Sequence, residues 1–279
     1  MFPDKTGGNK TDNVFFAILS VCALAMVVPF LWMILTAFKT TTEATSINPF
    51  VIFPGAWRTD SFFHVMQNMN FGRLYFNTIA LIAGRVLCAV LTATMAGYAL
   101  GRLEFPLKTF FFSLILVQMM VPSQIFIIPQ YLMIAKLKML NTMFALLFPG
   151  LITAFGTFLL RQNFMSLPAD VEEAAYMDGA NIGQTFLFIM FPLARSGIVA
   201  LSIFTALFAF KELMWPLIVN TAADAMPLSA ALAKLQGQFI TNYPELMAAS
   251  ILACVPMIVI YLLFQRQFIQ GVATSGGKL

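Results

Sequence analysis

The densest group of chemically active side chains in the sequence is acidic. Asp170, Glu172, Glu173 and Asp178 are four of the 12 acidic residues of the chain. They lie in residues 167–192, here called the acidic segment, between two apolar stretches. Carboxylates in a first turn stabilise a helix because they face the positive end of its dipole. The sequence therefore predicts an acidic helix outside the apolar stretches, where it can contact another molecule.

Helix boundaries are marked on both sides of these carboxylates. A proline favours a first turn, a glycine favours the left-handed residue after a helix, and an Asn-x-x-Gln pattern favours a capping box. These signals predict a helix that stops at Gly179, a hinge, and a second short helix that starts after Asn181 and ends at Pro192. The residues that carry the signals are Ser166 as N-cap, Pro168, Gly179, Asn181, Gln184 and Pro192.

Three charges fall inside apolar stretches. Arg85 lies near the middle of the second predicted span, and Lys211 and Glu212 lie in the fifth. A charge at the centre of a bilayer costs about 2.5 kcal/mol or more on insertion scales, so it usually faces a protein interior. We expect these residues to line a cavity or to pair with each other; the equal alternative is an ion pair or a snorkelling lysine at a subunit interface. Gln118 and Gln124 are weaker cavity candidates, because amides also join helices as polar contacts.

Motifs for catalysis are missing from the sequence. It has no Gly-x-x-x-x-Gly-Lys-Ser/Thr loop for ATP phosphates, no His-Glu-x-x-His zinc site and no Gly-x-Ser-x-Gly nucleophile turn. The one histidine, His64, is expected in a solvated loop. Cys22, Cys88 and Cys254 lie in apolar runs and are not expected to form a disulfide or a metal site. We predict that the chain is not an enzyme and binds no metal or other cofactor itself.

Composition places the chain in a membrane. Hydrophobic residues make up 60% of it and charged residues 10%, whereas soluble domains carry about 25% charged residues. The net charge of +4 is spread along the chain without a basic run, which argues against nucleic acid as a partner. The first apolar run is too long for a cleavable signal and is expected to be an uncleaved anchor.

Apolar windows of about 20 residues predict six membrane-spanning helices in an all-α bundle. The predicted spans are 15–38, 74–100, 110–135, 142–160, 197–219 and 246–265. They form a single transmembrane domain with an N-terminal segment (1–14), the first four spans (15–160), a loop (161–195), the last two spans (196–265) and a tail (266–279). Amphipathic pieces are predicted at 62–69 and 228–235. Lys and Arg are almost evenly divided between the two sides, which leans weakly towards cytoplasmic termini.

The acidic segment also resembles a known signature. Glu173-Ala174-Ala175, three residues, Gly179, nine residues and a final Ile189-x-x-Pro192 match the Glu-Ala-Ala motif of ATP-binding-cassette (ABC) importer permeases, with Phe191 where leucine is usual. Softer matches over nearly the whole chain resemble the second permease of maltose-type sugar importers. They are Phe76-Asn77-Thr78, Trp215 to Val219, Pro227-Leu228, Ala248-Ala249 and Gln265 to Gly271. One departure is Phe210-Lys211-Glu212, where many sugar permeases carry a Trp-Asn-Asp-like sequence.

The resemblance implies a role for each part of the chain. The loop 161–195 and both termini would be cytoplasmic in the cell membrane, and the acidic helix would be a coupling helix seated in a cleft of a separate ATPase subunit that uses the ATP. The implied partners are a second, homologous permease, two ABC ATPase subunits, an extracytoplasmic solute-binding protein and membrane lipid. The implied substrate is a sugar or oligosaccharide, moved by alternating access. The implied coupling residues are Glu172, Glu173, Ala174, Ala175, Asp178, Gly179 and Pro192.

Two questions stay open at the level of sequence. Val171, Ala174, Ala175 and Asp178 fall on one face of the predicted helix, and this face packs either on an ATPase or on the chain's own bundle. The substrate is either a sugar or, because the cationic side chains in the apolar stretches suit an anion, glycerol phosphate or another polyol. A stand-alone secondary transporter or channel is a third alternative, although no clear internal repeat supports it.

Overall fold

The computed structural model describes residues 10–47, 50–236 and 241–276. Helices form the regular structure of these residues, and no strand occurs among them, as predicted. The chain divides into two compact units, one formed by Met1–Asn70 with Lys234–Val255 and the other by Phe71–Ala233 with Pro256–Leu279. The charged residues that the sequence singled out all lie in the second unit.

The predicted amphipathic pieces correspond to two of the helices, α3 and α14. Short 3₁₀ turns link several neighbours, and a π-helical turn, Phe186–Met190, lies between α10 and α11. In chain order the α-helices of the described residues are α1 (Lys10–Ala37), α2 (Thr41–Thr45), α3 (Asp60–Asn68), α4 (Phe71–Arg102), α5 (Lys108–Met120), α6 (Ile127–Lys136), α7 (Met143–Leu147), α8 (Ala154–Met165), α9 (Asp170–Met177), α10 (Ile182–Thr185), α11 (Phe191–Leu193), α12 (Arg195–Lys211), α13 (Met214–Val219), α14 (Leu228–Leu235) and α15 (Tyr243–Gly276).

The helices that can cross a membrane are of two kinds. Within the described residues, α1, α4 and the first part of α15 are each long and apolar enough alone. Three pairs qualify as spans bent at a short break: α5 with α6 by 97°, α7 with α8 by 48°, and α10–α11 with α12 by 72°. The described part of the chain therefore contains three such helices, or up to six spans if each bent pair is one span.

The predicted fifth span, 197–219, is wrong at its C-terminal end. Helix α12 stops at Lys211, and α13 starts three residues later. Pro216 lies in the first turn of α13 and has no N–H to donate to the carbonyl of Glu212 four residues earlier. The Ser229 hydroxyl donates to that carbonyl instead, at 2.7 Å. The break places Glu212 at the end of a helix rather than inside one.

The second unit is built around α4, which packs against α8 and α12. Ala93, Gly97 and Gly101 repeat at a spacing of four residues on the face of α4 that meets α8, and small residues let two helices approach closely. A Cβ atom on Gly97 would lie 2.9 Å from the Arg161 backbone nitrogen. This close helix pair therefore needs glycine there. Beside it lies a buried cluster formed by Ala93, Tyr98, Leu160, Phe164, Met190, Ala194 and Leu201.

The first unit contains two polar contacts that order its short helices. His64 lies on α3, not in the predicted loop, and its Nδ1 atom is 3.3 Å from Glu245 Oε1. A capping box starts α2: the Thr40 N–H donates to Glu43 Oε2 at 2.8 Å, and the Glu43 N–H donates to Thr40 Oγ1 at 3.2 Å. The Gly55 N–H also donates to Glu43 Oε1, at 3.1 Å. The hydrogen bonds from the Thr40 and Gly55 amides hold the pKa of Glu43 below its ordinary value.

Candidate functional site

The acidic segment folds into two short helices joined at a glycine. Helix α9 ends at Met177, and Gly179 follows in the left-handed region with a φ of 86°. Asn181 then begins α10, where its side chain accepts the Gln184 N–H at 2.9 Å and the Gln184 side chain accepts the Asn181 N–H at 2.9 Å. The predicted glycine hinge and capping box are therefore confirmed.

The outer boundaries of the acidic segment differ from the prediction. Ser166 does not cap α9, because its hydroxyl donates back to the Asn163 carbonyl at 2.8 Å and closes α8. Helix α9 follows Ala169, which provides no side-chain cap. At the other end the helical run continues one residue past Pro192, to Leu193. The run contains a π-helical turn before this proline, which cannot donate to the carbonyl four residues back.

Helix α9 has an inward and an outward face. Glu172 and Ala175 are turned into the second unit, at 8% and 5% exposure. Glu173, Ala174, Asp178 and, at 87%, Met177 are exposed. Of the predicted four-residue face, Ala175 therefore packs on the chain's own unit, whereas Val171, Ala174 and Asp178 are exposed.

A tyrosine on α4 holds the inward face of α9. The Tyr98 hydroxyl donates to Glu172 Oε1 at 2.6 Å, and Arg102 Nε lies 3.6 Å from Glu172 Oε2. The Tyr98 ring packs against Phe164 of α8, with centroids 5.5 Å apart, and against Phe186 of the π-helical turn, at 5.1 Å. Sequence reasoning missed Tyr98, and its position at the apolar end of a span gave no signal for this role. One side chain thus contacts both halves of the acidic segment.

A second group of polar contacts forms at the break between α7 and α8. Pro149 has no N–H, which leaves the carbonyl of Ala145 without its helical donor. The Trp215 indole Nε1–H donates to that carbonyl at 2.7 Å. The next carbonyl, that of Leu146, accepts from Arg85 Nε at 3.2 Å and Nη2 at 2.6 Å. Two side chains from other helices therefore replace the hydrogen bonds that the broken helix lacks.

Arg85 also meets the charge at the end of α12. Its Nη2 atom lies 2.5 Å from Glu212 Oε2. The Arg85 side chain is almost fully buried, whereas that of Glu212 is 26% exposed. One arginine on α4 thus joins the break in α7 to the end of α12, and the structure brings together two residues that the sequence could only suggest as a pair.

A cavity of about 630 Å³ opens beside this ion pair. All four residues predicted for a translocation path line it: Arg85, Gln118, Lys211 and Glu212. The other polar or aromatic lining residues include Ser123, Gln124, Gln130 and Trp215. A smaller cavity of about 260 Å³ shares Arg85, Gln118, Pro149 and Phe208 with it and continues along α4 and α8. The two cavities therefore adjoin at Arg85, and both contain polar side chains among apolar ones.

The opposite end of α4 binds the loop before α14. The Asn77 side-chain Nδ2 donates to the carbonyls of Asp224 and Met226, at 2.8 and 2.9 Å. The Leu228 N–H donates to the Thr78 hydroxyl at 2.9 Å. Asn77 and Thr78 are buried, so these bonds fix the loop to α4. Asn77 and Thr78 stood out in the sequence only through the family resemblance, which did not predict this contact.

Within the described residues, no group of three or more His, Cys, Asp and Glu side chains could hold a metal ion, and the three cysteines are free thiols. The polar groups of the site are suited to hydrogen bonding and to charge pairing.

A bundle of apolar, membrane-length helices that carries a polar cavity and an exposed acidic helix is the architecture of a membrane transport permease. The chain belongs to the family described as binding-protein-dependent transport system inner membrane component, whose profile matches residues 89–274. It is therefore an inner-membrane component of a transport system, and the predicted permease family is confirmed.

Curated relatives match almost the entire chain. The arabinooligosaccharides transport system permease protein AraQ of Halalkalibacterium halodurans is 31% identical over 96% of this chain and 99% of its own length. The diacetylchitobiose uptake system permease protein NgcG of Streptomyces coelicolor is 30% identical over 93% of this chain and 86% of its own. The sn-glycerol-3-phosphate transport system permease protein UgpE of Shigella flexneri is 28% identical over 94% and 96%.

A solved structure has the same fold. It is a chain of a bacterial ABC transporter involved in the import of the acidic polysaccharide alginate, with a TM-score of 0.78 and 22% identity. The match covers 95% of this chain and 99% of that one. At this identity the likeness shows the all-α permease fold alone.

Proposed function

We propose that this chain is the membrane-spanning permease subunit of an ABC importer and that it moves a sugar or oligosaccharide by alternating access. The observation that carries the proposal is the cavity, in which glutamine amides and an ion pair stand among apolar helices. Amides both donate and accept hydrogen bonds, which suits the hydroxyl groups of a sugar. The relatives named for arabinooligosaccharide and diacetylchitobiose transport support the same substrate class.

In this proposal the outward face of α9 docks on the ATPase subunit, and ATP hydrolysis by that subunit displaces α9. It presents the carboxylates of Glu173 and Asp178 around the exposed side chain of Met177. Such a face fits a cleft with an apolar floor and cationic groups at its rim. Gly179 sets the direction of α9 relative to α10, so both helices move when α9 is displaced. The partner ATPase binds and hydrolyses ATP, and this chain catalyses no reaction.

The proposed assembly contains further partners. They are a second, homologous permease, two ABC ATPase subunits and an extracytoplasmic solute-binding protein. If each bent pair is one span, both termini and the acidic segment lie on the same side of the membrane, and the proposal assigns them to the cytoplasmic side, where the ATPase works. The solute-binding protein acts on the opposite side and delivers the substrate to the cavity.

A second candidate substrate carries a negative charge. Lys211 lines the cavity, and within the described residues its side chain forms no ion pair or hydrogen bond. Glu212 already neutralises Arg85, so Lys211 supplies one net positive charge to the cavity wall. This favours glycerol phosphate or another anionic polyol as the alternative, in line with the name of the third relative.

Reconstituted uptake tests the proposal and separates these substrates. The chain is purified together with its partner permease, ATPase pair and binding protein and is placed in liposomes. We expect uptake of a neutral labelled oligosaccharide that requires both ATP and the binding protein, and a Lys211→Gln variant that keeps this uptake. Loss of uptake in that variant, with glycerol phosphate as the preferred substrate of the wild type, would support the anionic alternative. Transport by the chain alone without ATP would refute the ABC importer and leave a secondary transporter or channel.

A further inference from the structure

Helix α4 is continuous and contributes a side chain to three polar groups of the second unit. It runs from Phe71 to Arg102 over 32 residues without a proline, which corresponds to roughly 48 Å at about 1.5 Å per residue. Asn77 binds the loop before α14, Arg85 lines the cavity, and Tyr98 contacts the acidic segment. The spans formed by α5–α6, α7–α8 and α10–α12 are bent by 48° to 97°. Unlike these bent spans, α4 runs without a break, so it is suited to transmit a displacement from one end of the unit to the other.

The contact between α4 and the acidic segment is buried and charged. Tyr98 is 3% exposed, and its hydroxyl donates to the Glu172 carboxylate at 2.6 Å. A hydrogen bond to an ionised acceptor is about twice as strong as one between neutral groups. Arg102 adds the 3.6 Å contact to the other carboxylate oxygen, and its Nη2 donates to the Leu167 carbonyl just before α9. The entry to α9 and its inward face are therefore fixed to the same end of α4.

The ring of Tyr98 fixes the second half of the acidic segment as well. It lies against Phe186 in the π-helical turn that follows α10. The two halves meet at Gly179, whose added Cβ would have no neighbour within 4 Å. Gly179 is exposed, and Tyr98 contacts a residue in each of the two halves that it joins. A π-helical turn is itself an element often found at functional sites.

We propose that Tyr98, Arg102 and Glu172 form the joint that passes the movement of the acidic segment to α4 and through α4 to Arg85 in the cavity. The inference rests on the proposed function. These three are positioning residues, because the groups that meet the ATPase and the substrate lie elsewhere. Glu172 is accordingly an internal contact of the chain and not part of the surface offered to the ATPase, in contrast to its neighbour Glu173.

The joint is tested in the complete importer, reconstituted with its permease partner, ATPase pair and binding protein. Tyr98→Phe removes one hydroxyl and keeps the ring contacts with Phe164 and Phe186. We expect uptake per ATP hydrolysed to fall about tenfold, the size expected for loss of a hydrogen bond to a charged group. Basal ATP hydrolysis and copurification of the ATPase should be retained. Tyr131→Phe is the matched control, since Tyr131 packs in a separate apolar cluster around Leu81 and Trp215, and it should behave as the wild type.

A second variant separates coupling from folding. Glu172→Gln keeps an oxygen that accepts from Tyr98 but loses the charge beside Arg102, so we expect a smaller fall in the same ratio. Wild-type uptake per ATP in both variants would overturn the joint. A loss that merely follows a smaller amount of assembled complex would also overturn it, because it would show a structural role only. If instead the proposed importer function is wrong, the wild-type complex itself will show no uptake that depends on ATP and the binding protein.

Discussion

Substitution of Arg85 should lower the free energy of unfolding of the second unit, because this side chain of α4 bonds groups on two other helices. In Arg85→Ala, the Leu146 carbonyl loses two hydrogen bonds, at 3.2 and 2.6 Å, and Glu212 loses the cation 2.5 Å away. Pro149 lies in the same break and cannot supply a replacement donor. Both acceptors therefore remain without the partner that offsets their desolvation.

The size of the effect follows from these two losses. A buried carbonyl without a donor costs about 1–3 kcal/mol. A buried charge without its partner costs about 3–5 kcal/mol, and the 26% exposure of the Glu212 side chain places this contribution below that range. We expect the free energy of unfolding to fall by about 3–4 kcal/mol in Arg85→Ala.

A double-mutant cycle isolates the charge pair. In Arg85→Ala/Glu212→Ala the orphaned carboxylate is gone, so the double variant should regain about 2 kcal/mol relative to Arg85→Ala, within the range of coupling energies for contacting residues. The free energies are measured by denaturant titration in mixed micelles. Lys211→Ala is the matched control, because Lys211 lines the same cavity without an ion pair in the described residues. It should change stability by less than about 0.5 kcal/mol.

Two results would refute this reasoning. The first is an Arg85→Ala variant within about 1 kcal/mol of the wild type, which would mean that water or another side chain satisfies Leu146 and Glu212. The second is strict additivity of the two single substitutions, which would mean that Arg85 and Glu212 do not interact in the membrane.

Three further outcomes are expected. Gly179→Ala should lower the free energy of unfolding by about 1–2 kcal/mol, because Gly179 has a φ of 86° that alanine adopts only with strain. Gly179→Asn should lower it by less. Equal stability of both variants and the wild type would contradict a requirement for glycine at this position. Gly97→Val should lower the free energy of unfolding by about 1–3 kcal/mol, because the valine Cβ would collide with α8. The control Gly183→Ala should have little effect. A Gly97→Val variant as stable as the wild type would rule out the close contact between α4 and α8. The pKa of Glu43 is lowered from 4.5 on folding, so its contribution to stability is present above pH 4.5 and is lost as the pH falls through the lower folded value. Intrinsic-rate-corrected hydrogen exchange at the Gly55 amide should reveal opening in acid, and protection that is independent of pH would contradict this.

The parts of the acidic segment that depend on local chemistry were predictable. A glycine after a run of helix formers and an Asn-x-x-Gln pattern act within a few residues, and both Gly179 and the capping box at Asn181 have the predicted geometry. Ser166 was assigned to the wrong helix because its hydroxyl can bond either forwards as an N-cap or backwards to a carbonyl. The structure shows the backward bond, to Asn163.

The long-range contacts were beyond the reach of sequence reasoning. Glu172 looked like one of several surface carboxylates, and its partner Tyr98 lies 74 residues earlier. Arg85 and Glu212 were recognisable as unusual because charges are costly among apolar residues. Their ion pair, however, depends on α12 ending at Lys211, just before Glu212. That end follows from Pro216, whose missing N–H breaks a stretch that hydropathy alone joins into one span.

The central claim is that the outward face of α9 docks on an ATPase subunit, and site-directed cross-linking tests it most directly. In a variant without Cys22, Cys88 and Cys254, Met177→Cys places one thiol at a position of that face where the native side chain is 87% exposed. Leu137→Cys, also exposed but at the end of α6, is the control. The proposal predicts that a short thiol cross-linker joins position 177, and not position 137, to single cysteines along one cleft of the ATPase. Absence of any product at position 177 in the assembled importer would contradict it.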